Sequence, residues 1–353
     1  MDHAIILAGG VGERFWPVST PQRPKQLLPL ISDRSMLRET ADRLDGVVPP
    51  EGRWVITSRT LAAAVAAECP EIAPERIVGE PEARNTAPAI GLAAGLLAAA
   101  DPDAAMLVLP ADHAIGNADA FRQSAAAALQ IAAEDPVLVL FGIVPTRPDT
   151  GYGYVERGQS HGPGAGVAWK VARFLEKPDP ETARRLWGSG THYWNSGLFC
   201  GRAAVFLEEY ARHLPLMRRA IDEAVAEWDA DPERALDRYY GAVEATSIDY
   251  AIMQETDRAV VLPAADWGWD DVGSWESLAR WLPASGEDNV TMGDCRLEGC
   301  REVIAFSDGG LIAALGVSGV VIVRSGEATL VAARDHLDDI RSFVRRVTGG
   351  NGA

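Results

Sequence analysis

Near the amino end, three glycines and the cations Arg14 and Lys25 fall within a short span. The apolar run Ala4-Ile5-Ile6-Leu7-Ala8 breaks into Gly9-Gly10-Val11-Gly12-Glu13-Arg14, and Pro24-Lys25 follows soon after. Glycines let a backbone turn tightly and approach a ligand closely, so several N–H groups can converge on phosphate oxygens. Arg14 and Lys25 add positive charge where a nucleoside triphosphate carries most of its negative charge. The two commoner phosphate loops do not fit. There is no Gly-Lys-Ser/Thr ending, and no third glycine stands at the dinucleotide offset. Taken alone, the glycine cluster stands equally well for a tight turn.

Further chemistry-bearing residues sit in short polar blocks. Glu80 follows a candidate strand, and a carboxylate there could accept from guanine N1–H and its exocyclic amine, a donor pair that uracil and thymine lack. Asp112 and Asp271 offer hard oxygens of the kind Mg²⁺ prefers, although a turn or N-cap role is the commoner fate of such an aspartate. Glu176-Lys177 pairs a hydrogen-bonding carboxylate with a cation; a solvated ion pair is the plain alternative. Asn195 supplies an amide donor and acceptor, and Gly153 would allow close backbone approach to a ligand. Asn85 and Thr86 are open to a helix-capping role ahead of an Ala-rich helix.

Alternating elements must hold these groups. From residue 3 to about 145, strand candidates are His3–Ala8, Trp54–Thr57, Arg76–Gly79, Met106–Leu109 and Val137–Phe141. Helical stretches at Met36–Leu44, Leu61–Glu68, Ala87–Ala100 and Ala118–Ala133 lie between them. Such alternation predicts an α/β fold with a doubly wound, mostly parallel sheet and ligands at the carboxyl ends of its strands. From Gly151 to about Pro283 the pattern mixes strand-like runs (Tyr152–Glu156, Val167–Leu175, Gly197–Cys200) with helices at Arg202–Arg212 and Leu216–Trp228. That region reads as an insertion that covers the nucleotide edge and forms a second half-site. Beyond Asp288, short runs at Val303–Phe306, Leu311–Ala314, Val320–Arg324 and Ala328–Ala332 predict stacked short strands, closed by a helix over His336–Val347.

Composition narrows the function class. Lys plus Arg number 33 against 50 Asp plus Glu, a net charge of -17, and that field repels nucleic acid and anionic membrane. A small anionic ligand needs only a local basic pocket. The first residues read as a core strand and not as a signal peptide, and the Ala87–Ala100 run is too short to span a membrane. Cys69, Cys200, Cys295 and Cys300 lack CxxC spacing, which points to reduced thiols in a cytoplasmic protein.

The opening segment with Arg14, Trp16-Pro17 and Pro24-Lys25 resembles the GGxGxRxxP…PK signature of sugar-1-phosphate nucleotidylyltransferases. Five more blocks resemble the mannose-1-phosphate guanylyltransferase branch of that family: Glu80-Pro81-Glu82-Ala83-Arg84-Asn85-Thr86-Ala87-Pro88, Pro110-Ala111-Asp112-His113, Phe174-Leu175-Glu176-Lys177-Pro178, Trp194-Asn195-Ser196-Gly197-Leu198-Phe199 and Trp269-Asp270-Asp271-Val272-Gly273-Ser274-Trp275. They stand in family order between residues 5 and 275. The resemblance implies a Rossmann-like nucleotidyltransferase domain over 1–285, with a nucleotide half to about 145 and a sugar-phosphate half from about 146. A small β-helical domain is implied over 286–353.

The same resemblance implies the roles. Ala8, Gly9, Gly10, Gly12, Glu80, Asn85, Thr86 and Asp112 would bind nucleotide. Gly153, Glu176, Lys177 and Asn195 would bind the sugar phosphate, and Asp112 with Asp271 would hold Mg²⁺. Arg14 and Lys25 would carry catalysis of GTP plus α-D-mannose 1-phosphate to GDP-mannose and pyrophosphate. Glucose or heptose 1-phosphate is the alternative acceptor, because the Glu-Lys-Pro and Asn-Ser-Gly blocks discriminate sugars poorly. A homodimer is compatible with the sequence and is not required by it. Two positions depart from the family pattern: Glu13 replaces a small hydroxyl residue, and Thr20 stands where many members carry Arg. Arg23 is the neighbouring cation that could make good the second.

Overall fold

The structure, a computed structural model, describes residues 1–162, 168–264 and 267–348, which divide into two compact units. The first comprises Met1–Gly9, Ala41–Ala111 and Ile115–Trp269. Its centre is a nine-stranded sheet built from β1 (His3–Ala8), β2 (Arg53–Ser58), β3 (Ile77–Glu80), β4 (Ala105–Pro110), β5 (Leu138–Ile143), β6 (Tyr154–His161), β7 (Ala168–Leu175), β8 (His192–Arg202) and β9 (Ala259–Ala264). The order is β3-β2-β1-β4-β8-β5-β9-β7-β6. The pairings make β8 and β7 run against the other seven: β1 to β4 form the parallel half that the sequence pattern predicts, and the antiparallel pairings of β8 and β7 make the whole sheet mixed.

The expected insertion after Gly151 is instead continuous with this sheet. The long strand β8 lies between β4 and β5, and β6 and β7 extend the far edge. Local patterning could not reveal this, because pairing partners are chosen by long-range burial. Val167, expected to open β7, lies outside the described residues.

Helix α1 (Thr86–Ala100) is buried on nearly every side, which its Ala and Gly content permits. A Cβ on Gly91 would fall 2.7 Å from Ile221 Cδ1, and one on Gly95 would fall 2.5 Å from Ile221 Cγ2. The two glycines therefore let the neighbouring helices α2 (Ala203–His213) and α3 (Pro215–Trp228) approach closely. A further helix, α4 (Pro232–Ala242), went unread in the sequence; Asp231 caps it by accepting from Arg234 N.

The second unit comprises Gly10–Thr40, Asp112–Ala114 and Asp270 onward. Its strands are β10 (Ala284–Ser285), β11 (Asn289–Met292), β12 (Cys295–Glu298), β13 (Ile304–Asp308), β14 (Ile312–Leu315), β15 (Val320–Ser325) and β16 (Ala328–Ala333). Strands β11, β13 and β15 form one parallel ladder and β12 and β14 another, so the chain alternates between two faces as it climbs. That is the coil expected of a small β-helical unit. Gly293 turns one corner at φ +82°, where a Cβ would collide with the Ser307 carbonyl.

A short 3₁₀ segment, Arg334–Asp339, precedes the closing helix α5 (Ile340–Val347), which therefore starts later than expected. Ile340 and Val344 of α5 share one core with Phe15, Val18, Trp275, Ile304, Phe306 and Val321. The Phe15 and Trp275 rings meet at 4.9 Å between centroids. The segment after the glycine loop is thus packed into the same core as the C-terminal coil.

Candidate active site

In the second unit, the glycine loop is shaped around one buried cation. Gly12 has φ +72°, and a Cβ there would come within 2.5 Å of Lys25 Cβ, so both its conformation and its surroundings require glycine. Ser19 Oγ and Lys25 N both donate to the Val11 carbonyl, the latter over 3.3 Å, which pins the loop. The Lys25 side chain is 4% exposed, and its Nζ donates to Asp112 Oδ2 at 2.9 Å and to the Asp271 carbonyl at 2.6 Å. Residues far apart in sequence are thus gathered by one ammonium.

Burial raises the Asp112 pKa, but the charges of Lys25 and His113 and the bond to Lys25 outweigh it and hold the carboxyl below the usual range. Asp270 is occupied structurally: it accepts from Val272 N and Ser277 Oγ and pairs with Arg280 at 2.7 Å. Asp271 Oδ1 accepts from Gly273 N at 3.1 Å. Between them, buried Val272 adopts φ +46°, a strained conformation for a β-branched residue and of a kind found at functional sites. Arg14 Nη1 reaches the Gly273 carbonyl over 3.4 Å.

The Asp112 carboxylate and the Asp271 backbone carbonyl meet at Lys25 Nζ, and the carboxylates of these two residues are hard oxygen donors of the kind a divalent cation prefers. No cluster of three or more His, Cys, Asp or Glu is placed to hold a metal among the described residues. Two protein carboxylates supplemented by phosphate oxygens and water remain a normal Mg²⁺ environment.

The two departures acquire structural explanations. Glu13 is ion-paired with Arg341 and Arg345 of α5. Thr20 and Arg23 exchange backbone hydrogen bonds of 3.1 Å, and the Arg23 guanidinium is held by Asp308 at 2.9 Å. Arg23 is therefore engaged by the coil.

The first unit holds the other predicted residues. Glu80, at the end of β3, is 8% exposed and accepts a hydrogen bond from Tyr240 Oη at 2.7 Å. Burial pushes its pKa up to about 7, with the tyrosine bond pulling the other way. A Cβ on Gly9 would stand 3.1 Å from Glu80 Oε2, so the bare glycine at the end of β1 keeps that oxygen approachable. The Ala8 carbonyl accepts from Thr57 Oγ1 at 2.9 Å.

Asn85, at φ +67°, caps α1 by accepting from Thr86 N, and Thr86 Oγ1 accepts from Ile248 N at 3.0 Å. Ala87 N and Thr246 N donate to the Thr246 and Arg84 carbonyls respectively. The capping reading is realised for Asn85, whereas Thr86 is the first helical residue and its hydroxyl ties the helix start to the segment around residue 248.

That segment supplies a residue the sequence reading missed. Asp249 Oδ1 accepts from Asn195 Nδ2 at 2.7 Å, inside a π-helical turn, Asp249–Met253. Burial, followed by the nearby Glu176 charge, raises its pKa to about 6. A lone carboxylate within the otherwise apolar run Ile248-Asp249-Tyr250-Ala251-Ile252-Met253 was the available signal. Asn195 Oδ1 accepts from Gly197 N, so much of the expected ligand-binding amide is spent on holding the strand.

Glu176 is the exception to this internal satisfaction. Its Oε1 pairs with Lys177 Nζ at 3.0 Å, whereas Oε2 is buried without a hydrogen-bond partner. A buried unpaired carboxylate oxygen is costly and implies a missing donor. It faces Gly153, where a Cβ would collide with it. Lys177, at φ +47° and half exposed, has its ammonium pKa lowered by burial but raised more strongly by Glu176.

Comparison with known proteins gives the family. Residues 3–284 match the nucleotidyl transferase family, and 299–347 match the MannoseP isomerase/GMP-like beta-helix domain. The mannose-1-phosphate guanylyltransferase ManC of Salmonella typhimurium is 41% identical over 98% of this chain and 73% of its own length. The mannose-1-phosphate guanylyltransferase of Escherichia coli K12 is 40% identical with the same coverage. A crystal structure described as mannose-1-phosphate geranyltransferase from Thermus thermophilus superposes with a TM-score of 0.88 at 34% identity, covering 98% of this chain and 99% of that one. The chain belongs to the nucleotidyl transferase family, in the mannose-1-phosphate guanylyltransferase branch, and carries that branch's β-helix domain.

Proposed function

We propose that this protein transfers GMP from GTP to α-D-mannose 1-phosphate, giving GDP-mannose and pyrophosphate. The observation that carries the reading is Lys25, a buried cation seated beside a glycine loop and bonded to Asp112 and the Asp271 backbone. The names of the 40–41% identical relatives supply the base and the sugar.

In this reading Gly10 and Gly12 present backbone N–H groups to the triphosphate, while Arg14 and Lys25 stabilise charge on the departing pyrophosphate. Glu80, once ionised, accepts both donors of the guanine edge. Glu176 Oε2 takes a sugar hydroxyl, its missing donor, with Gly153 leaving room. Lys177 places the sugar phosphate, whose oxyanion is ionised at neutral pH and attacks the α-phosphorus in line without a protein nucleophile. A divalent cation held by Asp112 and Asp271 would neutralise phosphate charge when bound.

The reading keeps a transferase domain to about residue 285 followed by the small β-rich domain. It also takes the protein to be cytoplasmic, a reading supported by four cysteines that stand as reduced thiols. No described helix is long and apolar enough to cross a membrane.

Incubating the pure protein with Mg²⁺, a panel of nucleoside triphosphates and a panel of sugar 1-phosphates, and measuring pyrophosphate, tests it directly. Release should be greatest with GTP and mannose 1-phosphate. No release from that pair defeats the proposal, and faster release with glucose or heptose 1-phosphate reassigns the sugar.

A further inference from the structure

Glu13 follows Gly12 immediately and precedes Arg14, in the 3₁₀ turn Glu13–Phe15 that leaves the glycine loop. A carboxylate here opposes a polyanion. Two guanidinium groups meet it: Arg341 Nε bonds Glu13 Oε2, and Arg345 Nη2 lies 3.1 Å from each Glu13 oxygen. Arg341 and Arg345 are four residues apart, so they stack on one face of α5 and converge on the same group. The helix is held in place because Ile340 and Val344 are buried in a core with Phe15, two residues beyond Glu13. Burial raises the Glu13 pKa, but the bonds and charges of both arginines outweigh that and keep it below its usual value.

Both arginine side chains are more than half exposed, at 57% and 52%. Ion pairs this exposed contribute little to stability. Their stronger effect is on the charge presented by the loop. Resting on the nucleotide-transfer reading above, we propose that Arg341 and Arg345 are positioning residues for the triphosphate. They cancel the Glu13 charge and hold the turn that carries Arg14, so the C-terminal helix sets the affinity of the phosphate loop. The departure at Glu13 is thereby compensated from the other end of the chain.

The test is a rescue cycle. R341Q/R345Q should raise KM for GTP about tenfold, with a smaller change in kcat and an unchanged KM for mannose 1-phosphate. The defect relative to wild type should shrink at high salt, since it is electrostatic. Adding E13Q in that background should restore KM to within about twofold of wild type. An unchanged KM in the glutamine pair, or no restoration by E13Q, overturns the proposal. Should the glutamine pair fail to fold, R341K/R345K asks the same question, because retained charge should retain the wild-type KM and a tenfold rise overturns the proposal. GTP binding is measured calorimetrically in parallel without sugar phosphate. Binding without pyrophosphate release therefore defeats the proposed reaction while still deciding this inference, whereas no GTP binding by the wild type overturns both.

Discussion

Tyr240 and Glu80 are separated by 160 residues and joined by one 2.7 Å hydrogen bond, in which the phenol donates to a buried carboxylate. Burial raises the Glu80 pKa from 4.5 to about 7. Because the folded value is the higher one, this contribution favours the fold fully below about pH 4.5 and is lost as pH rises through about 7, a change of about 3 kcal/mol. Two guanine N–H donors call for the ionised form. KM for GTP should therefore fall about tenfold between pH 6 and 8 in the wild type, and Glu80→Gln should flatten that profile. A profile unchanged by the substitution would remove Glu80 from base recognition.

Removing the phenol acts on the same equilibrium. Tyr240→Phe takes a hydrogen bond away from the ionised carboxylate, so the GTP KM profile should move to higher pH. The loss of a partner for a buried oxygen should cost about 1–3 kcal/mol in urea denaturation. A stable variant with an unshifted profile would separate Tyr240 from Glu80.

Lys25→Met should affect both turnover and stability. The buried ammonium is bonded to Asp112 and to the Asp271 carbonyl, and the substitution leaves both acceptors without it. We expect kcat to drop by about two to three orders of magnitude, with a stability loss of about 1–3 kcal/mol. The Asp112 pKa is held below its unfolded value, so its contribution is present above about pH 3.8 and lost on acidification. Lys25→Met should weaken that acid dependence, as read from melting temperatures across pH 3–7.

Asp249→Asn keeps the shape of the partner of Asn195 but removes a buried charge facing Glu176. The raised pKa of about 6 means that wild-type stability declines as pH climbs from about 4 through 6. The variant should melt higher than wild type at pH 7.5 and equally at pH 4. A melting curve with the wild-type pH slope would contradict this ionisation.

Gly153→Ala places a methyl group against Glu176 Oε2, with Phe174 Cζ at 3.2 Å and Asn195 Cβ at 3.3 Å closing the other sides. KM for the sugar phosphate should rise at least about tenfold, while KM for GTP stays near wild type. A GTP-specific defect would move Glu176 out of the sugar site.

Much of the chemistry was legible in the sequence because it is local. Glycine spacing, a carboxylate just past a strand and ordered short motifs depend on neighbours within a few residues, and these indicated the loop, Glu80, Asp112 and Glu176. The apolar strand runs likewise announced the parallel half of the sheet, β1 to β4. The placement of β8 between β4 and β5, the pairing of Tyr240 with Glu80 and of Asp249 with Asn195, and the gathering of Asp112 and Asp271 around Lys25 were decided only by tertiary packing. Burial and charge compensation act between residues distant in the chain. Glu13 shows the difference most plainly: in sequence it is an acidic residue in a loop suited to a polyanion, and in the fold its charge is met by Arg341 and Arg345.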